Sequence, residues 1–156
     1  GKIPAMEDGD FVLWESNSIV RYLAEKYGSF PWYPALVEDR YRASQWMDHY
    51  ITTHHPSMTT IFYNLIRMTP EERDDKVVAK CVETLSGAWA VVDRHLAENE
   101  FLTGTAPTMG DVPMGCAAYR WHTLDIERPD LPHLRRWYEA LASRSAFKEH
   151  VMLPLT

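Results

Sequence analysis

No apolar run in the sequence approaches the roughly 20 residues that a membrane-spanning helix needs, so a helical membrane protein is not expected. Cysteine is scarce. Cys81 and Cys116 are the only two, they lie far apart, and they form no Cys-x-x-Cys pair. That excludes a disulfide framework and points to a reducing compartment. Basic runs are missing as well. Sixteen Lys and Arg against 22 Asp and Glu leave a net charge of −6, which argues against a general nucleic-acid binder. There is no internal repeat, no low-complexity tract and no signal-peptide pattern. What remains is an apolar, aromatic-rich chain: 46% apolar residues and 12% aromatics in 156 residues support one core, or one domain plus part of another. The first residue is Gly and falls within a motif, so a preceding segment is expected.

Residues 4–8 and 11–14 read as two short strands around Asp8-Gly9-Asp10, a tight-turn signal. From Ser16 the period changes. Ile19, Val20, Leu23 and Tyr27 recur at helical spacing, and Gly28 closes the helix as a C′ residue. Ser29-Phe30-Pro31-Trp32-Tyr33-Pro34 cannot continue it and reads as a linker. The remainder is helical. Met47, Tyr50, Ile51, His54, Met58, Ile61, Phe62 and Leu65 step by three or four, with a kink expected at Pro56. Thr69-Pro70-Glu71-Glu72 reads as the start of a helix whose stripe is Val77, Val78, Cys81, Leu85, Ala88, Val92 and Leu96. Thr108 to Asp111 opens another with capping-box spacing, and Pro113 should disturb its first turn. Leu134, Trp137, Tyr138 and Leu141 mark a further helix, and 146–150 a short last one.

The expected fold is α+β overall but mostly α. A β-hairpin and helix come first (1–30), then a linker (31–36), then an all-α bundle of about five helices (37–156). A hairpin with one helix has too little core to stand alone, which suggests a larger sheet.

Three features gather at the hairpin–helix junction. Ile3-Pro4 could hold a cis peptide bond before a strand. Glu15-Ser16 lies at a helix N-terminus, whose unpaired N–H groups and positive dipole suit a carboxylate or phosphate. Lys2 adds a positive charge if the strand packs beside that helix. On the residues alone, Ser16 reads as a plain N-cap.

The stretch GKIPAMEDGDFVLWESNSIVRYLAEKYG resembles the second half of the thioredoxin-like domain of soluble glutathione transferases. FLTGTAPTMGDVPMGCAAYRW is similar to that family's capping box and buried helix, and LPHLRRWYEALASRSAF to its closing helices. Ser145 stands where many relatives have Pro, and Pro113 is an uncommon choice. The resemblance covers essentially the whole chain and looks closest to bacterial, theta-like members.

The resemblance implies a set of roles. Ser16 and its N–H would hold the γ-glutamyl carboxylate of glutathione, with help from Glu15. The Ile3 backbone would pair with the cysteinyl part, shaped by cis Pro4, as a small case of β-augmentation. Lys2 would approach the glycyl carboxylate. The implied protein is a cytoplasmic, homodimeric detoxification enzyme that adds glutathione thiolate to a small hydrophobic electrophile, with no metal and no nucleic-acid or membrane partner. Its thiol-activating Ser, Tyr or Cys would lie upstream of Gly1, so the catalytic residue is unknown. Two other functions fit the same resemblance: a glutathione-dependent thiol–disulfide or peroxide reductase, and a non-catalytic assembly module that resembles glutathione transferases.

Tyr50, His54, Met58 and Tyr119 are candidate walls of the family's electrophile site, against the alternative of ordinary helix packing. His49, His54 and His55 suggest a metal, but residues five apart, or adjacent, do not share one face of an α-helix. Cys81 and Cys116 read as plain core thiols.

Overall fold

The computed structural model describes residues 3–156. Strands β1 (Ala5–Asp8) and β2 (Phe11–Trp14) pair antiparallel, with Ala5 opposite Trp14 and Asp8 opposite Phe11. Gly9 turns the hairpin at φ 62°, a conformation that an L side chain rarely adopts. Helix α1 (Ser16–Lys26) follows directly. One carboxylate ties the hairpin tip to its far end. Asp8 accepts hydrogen bonds from the Tyr22 and Tyr27 hydroxyls and from Lys26 Nζ, each at 2.7 Å. The Lys26 ammonium first, then the two phenols, hold the Asp8 pKa down at about 2.

Gly28 does end the helical segment, but not through a left-handed turn. Its N–H bonds to the Leu23 carbonyl at 2.9 Å, and a Cβ there would lie 2.4 Å from the Ala24 carbonyl oxygen. Close backbone approach is what requires glycine.

Six α-helices follow the linker: α2 (Val37–His49), α3 (His55–Phe62), α4 (Asp75–Leu96), α5 (Asp111–Thr123), α6 (Pro132–Ala142) and α7 (Ser145–His150). Helices α2 and α3 belong to one bent run joined by a π-helical turn, Tyr50–His54, and a second π-helical turn closes it at Tyr63–Arg67. Pro56 sits in the first turn of α3, where its missing donor costs little, so the strain expected at proline appears as the π-turn just before it.

Two expected helix starts behave differently. Thr69 and Glu72 do form a capping box, but it closes only a single 3₁₀ turn at Pro70–Glu72. The long helix begins later. Asp74 caps it, its carboxylate accepting from the Lys76 and Val77 N–H groups at 3.1 Å. At Thr108–Asp111 the box closes with aspartate. Asp111 is 1% exposed and accepts from Thr108 N at 2.8 Å, Leu102 N at 3.1 Å and the Trp137 indole N–H at 2.8 Å. Pro113 falls inside this first turn, where Val112 N reaches Met109 O in 3₁₀ fashion.

The core lies within the helical region. Met58, Ile61, Leu85, Trp89, Leu96, Met114, Trp121, Leu134 and Trp137 are sealed from solvent. A smaller cluster of Ala24, Ala43, Met47 and Met109 fastens α1 to the helices. Helix α1 also spans to α2 by polar contacts: Asn17 Nδ2 donates to the Met47 carbonyl at 2.8 Å, and Arg21 to Ser44 Oγ at 3.0 Å and Asp48 at 2.5 Å. These bonds fix the direction in which the α1 N-terminus points.

Candidate functional site

The junction after β2 carries an unusual backbone. Glu15 takes φ 72° and ψ 115°, a non-glycine residue at positive φ. That turn reverses the strand into α1, so that Ile19 N reaches Glu15 O at 2.9 Å as the first helical bond. Glu15 therefore occupies the N-cap position, and Ser16 is the first residue of the helix. The N-cap reading of Ser16 is corrected accordingly. Neither side chain caps the helix, both residues are exposed, and the first turn holds no acid. The leading N–H groups of α1 thus face outward with a positive helix end behind them and no internal carboxylate to occupy them.

The opposite strand completes the junction. The Ile3–Pro4 bond is cis. The ladder ends where Ala5 pairs with Trp14, so Ile3 and Pro4 precede β1 at the same end of the hairpin at which Glu15 and Ser16 follow β2. Ile3 is 95% exposed, and its backbone has no partner among the described residues. Four of the five residues expected to bind glutathione therefore sit at one end of the hairpin: Ile3, Pro4, Glu15 and Ser16. Lys2 lies outside the described residues. A second cis bond, Phe30–Pro31, lies in the linker and was not expected.

The four candidate walls of an electrophile site fare differently. His54 and Met58 are 0% and 1% exposed, sealed in the core, where they pack rather than present a surface to a ligand. Tyr50 is half-buried against the same core, its ring 5.6 Å from that of His55. Tyr119 lines a cavity. This space of about 340 Å³ lies between the end of the α3 run (Phe62, Arg67), one face of α5 (Cys116, Tyr119, Arg120) and the chain after α7. The Tyr119 hydroxyl donates to the Leu153 carbonyl at 2.5 Å and so holds that tail in place. The sequence reading missed Arg67, Arg120 and the tail. Phe62 did carry a signal, as a large residue on the predicted stripe. The tail carried none, because only folding brings it near α5.

The histidines also need correction. A π-helical turn places residues five apart on one side, and the His49 and His54 rings lie 5.1 Å apart. His54 is buried, yet neither ring nitrogen has a well-formed hydrogen bond. Burial first, then the neighbouring His49, pushes its pKa down to about 4, against a weak pull from the His49 backbone. Among the described residues no three His, Cys, Asp or Glu are grouped to hold a metal. Cys116 is half-buried, and burial raises its thiol pKa despite the nearby Arg120 charge.

Comparison with known proteins bears on this geometry. The model of the glutathione S-transferase N-terminal domain matches residues 1–25, and that of the C-terminal domain matches residues 75–140. Glutathione S-transferase GstB of Escherichia coli strain K12 is 32% identical over 158 aligned positions, covering 100% of this chain and 76% of that protein. The theta class glutathione S-transferase of Xanthomonas axonopodis pv. citri superposes at a TM-score of 0.95 with 38% identity. Its apo structure covers 100% of this chain and 82% of that one, and its glutathione-bound structure 99% and 74%. The chain belongs to the glutathione S-transferase family.

Proposed function

We propose that this transferase binds glutathione at the open end of the hairpin and delivers its thiolate to a small apolar electrophile. The observation that carries the site is the pairing of an uncapped helix N-terminus with an exposed, unpartnered strand edge. The γ-glutamyl carboxylate would take the first N–H groups of α1 and the Ser16 hydroxyl, with Glu15 helping at the same end. The peptide backbone of glutathione would pair with Ile3, which cis Pro4 presents. Lys2 remains the proposed partner of the glycyl carboxylate.

Several further features belong to the same proposal. Residues 1–30 act as the glutathione-binding unit, 31–36 as the linker and 37–156 as the helical unit. The working assembly is a cytoplasmic homodimer, and its action needs no metal. Exposed Leu36, Val37 and Tyr41 near the start of α2 support a covered surface there. No helix among the described residues is long and apolar enough to cross a membrane.

Ser16→Ala tests the site. Loss of one hydrogen bond to a charged carboxylate is expected to weaken glutathione binding by about 1–3 kcal/mol, roughly 5- to 150-fold in Kd. Calorimetric titration with glutathione measures it. Unchanged affinity would remove Ser16 from the site.

A further inference from the structure

The cavity behind the C-terminal tail has an electrostatic character opposite to that of the chain. The protein carries a net charge of −6, yet this cavity is lined by Arg67, Arg120 and His150 and by no acidic side chain. Both guanidinium groups lie against the same ring. Arg67 lies 5.7 Å and Arg120 5.1 Å from the Phe62 centroid. A ring face attracts a cation but accepts none of its five N–H bonds in the planar fork geometry that suits a carboxylate. Among the described residues neither arginine forms an ion pair or donates a hydrogen bond to the protein, in contrast to Arg21, Arg42 and Arg135, which each meet an aspartate. Arg120 is half-buried, which raises the cost of leaving it without a partner. The rest of the wall mixes apolar Phe62, Val151 and Leu153 to Leu155 with Cys116, Tyr119 and Thr156. Its volume of about 340 Å³ suits a one-ring molecule.

We propose that this cavity takes a ligand with a carboxylate on an apolar body, recognised by Arg67 and Arg120, and that this ligand is the electrophile. The second half rests on the transferase reading. Phe62 and the tail bury the apolar body, while the two guanidinium groups select the anion. For a chloronitrobenzoate the balance is simple. The glutathione thiol loses its proton to solvent, the sulfur bonds the ring carbon bearing chlorine, and chloride leaves with the electron pair. The carboxylate is unchanged and serves only for recognition.

The test compares a chloronitrobenzoate with the matching neutral chloronitrobenzamide under saturating glutathione. The benzoate is expected to have a kcat/KM about tenfold higher or more, because only it makes charge-assisted bonds to guanidinium. Arg120→Gln and Arg67→Gln should each remove about tenfold from the benzoate and leave the benzamide within about twofold. Arg120→Lys should restore part of the preference. Equal turnover of the two substrates, or arginine variants that slow both alike, would overturn the proposal.

A second readout does not depend on turnover. In a Cys81→Ser background, Cys116 labelling by a neutral maleimide should slow at least about threefold when unreactive nitrobenzoate is added, and that protection should vanish with Arg120→Gln. Protection without conjugation of either substrate would keep the anion site and refute the transferase reading alone. No protection by nitrobenzoate would refute the anion site itself.

Discussion

Replacing Glu15 with glycine should make the protein more stable and a poorer binder of glutathione. Glu15 is held at φ 72° and ψ 115°, on the side of the backbone map that L residues avoid and well away from the small left-handed helical well. Such a residue costs about 1–3 kcal/mol. Its side chain is exposed and does not cap the helix, so the fold recovers little of that cost through contacts. Glycine adopts this conformation freely but adds unfolded-state entropy worth about 0.4–1 kcal/mol. The difference is a net gain of about 1 kcal/mol, with a range of about 0–2.6 kcal/mol. For a chain of this length that raises Tm by roughly 2–4 °C. Binding should move the other way, about tenfold weaker, if the carboxylate takes part in holding glutathione. Urea unfolding and calorimetric titration of the same preparation measure both. Destabilisation by more than about 0.5 kcal/mol would show that the Glu15 side chain supports the fold, and the strain argument would fail.

Three further outcomes follow from the packing. Asp111→Ala leaves the Leu102, Thr108 and Trp137 donors buried without an acceptor, at about 1–3 kcal/mol each before relaxation. A loss of at least about 3 kcal/mol in urea unfolding is expected, and a loss below about 1 kcal/mol would refute the hub role. Gly110→Ala would set a Cβ 2.7 Å from the Ala43 carbonyl oxygen, forcing α5 away from α2 at a cost of about 1–3 kcal/mol, read from the same unfolding curves. His54 gives a pH dependence. Its folded pKa of about 4 lies below the ordinary 6.5, so the unfolded chain binds the extra proton, and stability is full above about pH 6.5 and lost as pH falls towards 4. The whole effect is about 3 kcal/mol, His122 adds to it with the same sign, and His54→Phe should flatten the slope between pH 4.5 and 6.5 by roughly half.

Local chemistry was legible wherever neighbours in sequence decide the conformation. The Asp8-Gly9-Asp10 turn, the change of period at Ser16 and the box at Thr108–Asp111 all appear near the predicted positions because each depends on residues within four of one another. The candidate glutathione site was read from the family resemblance; the short hairpin loop then sets Glu15-Ser16 and Ile3-Pro4 at one end of the hairpin. Spacing misled where the backbone left the α period. His49 and His54 meet because the run turns π-helical before Pro56, and no count of residues by threes and fours shows that. Thr69-Pro70-Glu71-Glu72 does open a helical turn, but it is not the start of α4, because Asp74 supplies a second cap five residues on.

The sequence by itself determined the hairpin, the helices and the mostly apolar interior, since these follow from periodicity and turn residues, while the family was read from the resemblance of whole stretches. Only the tertiary structure decided which polar groups are left without partners. That His54 lies sealed from any cleft, that the α1 N-terminus opens beside the Ile3 edge, and that Arg67 and Arg120 share one cavity with the tail all depend on contacts between residues far apart in the chain. Burial and the pairing of charges are properties of the packed whole, and a linear pattern carries neither.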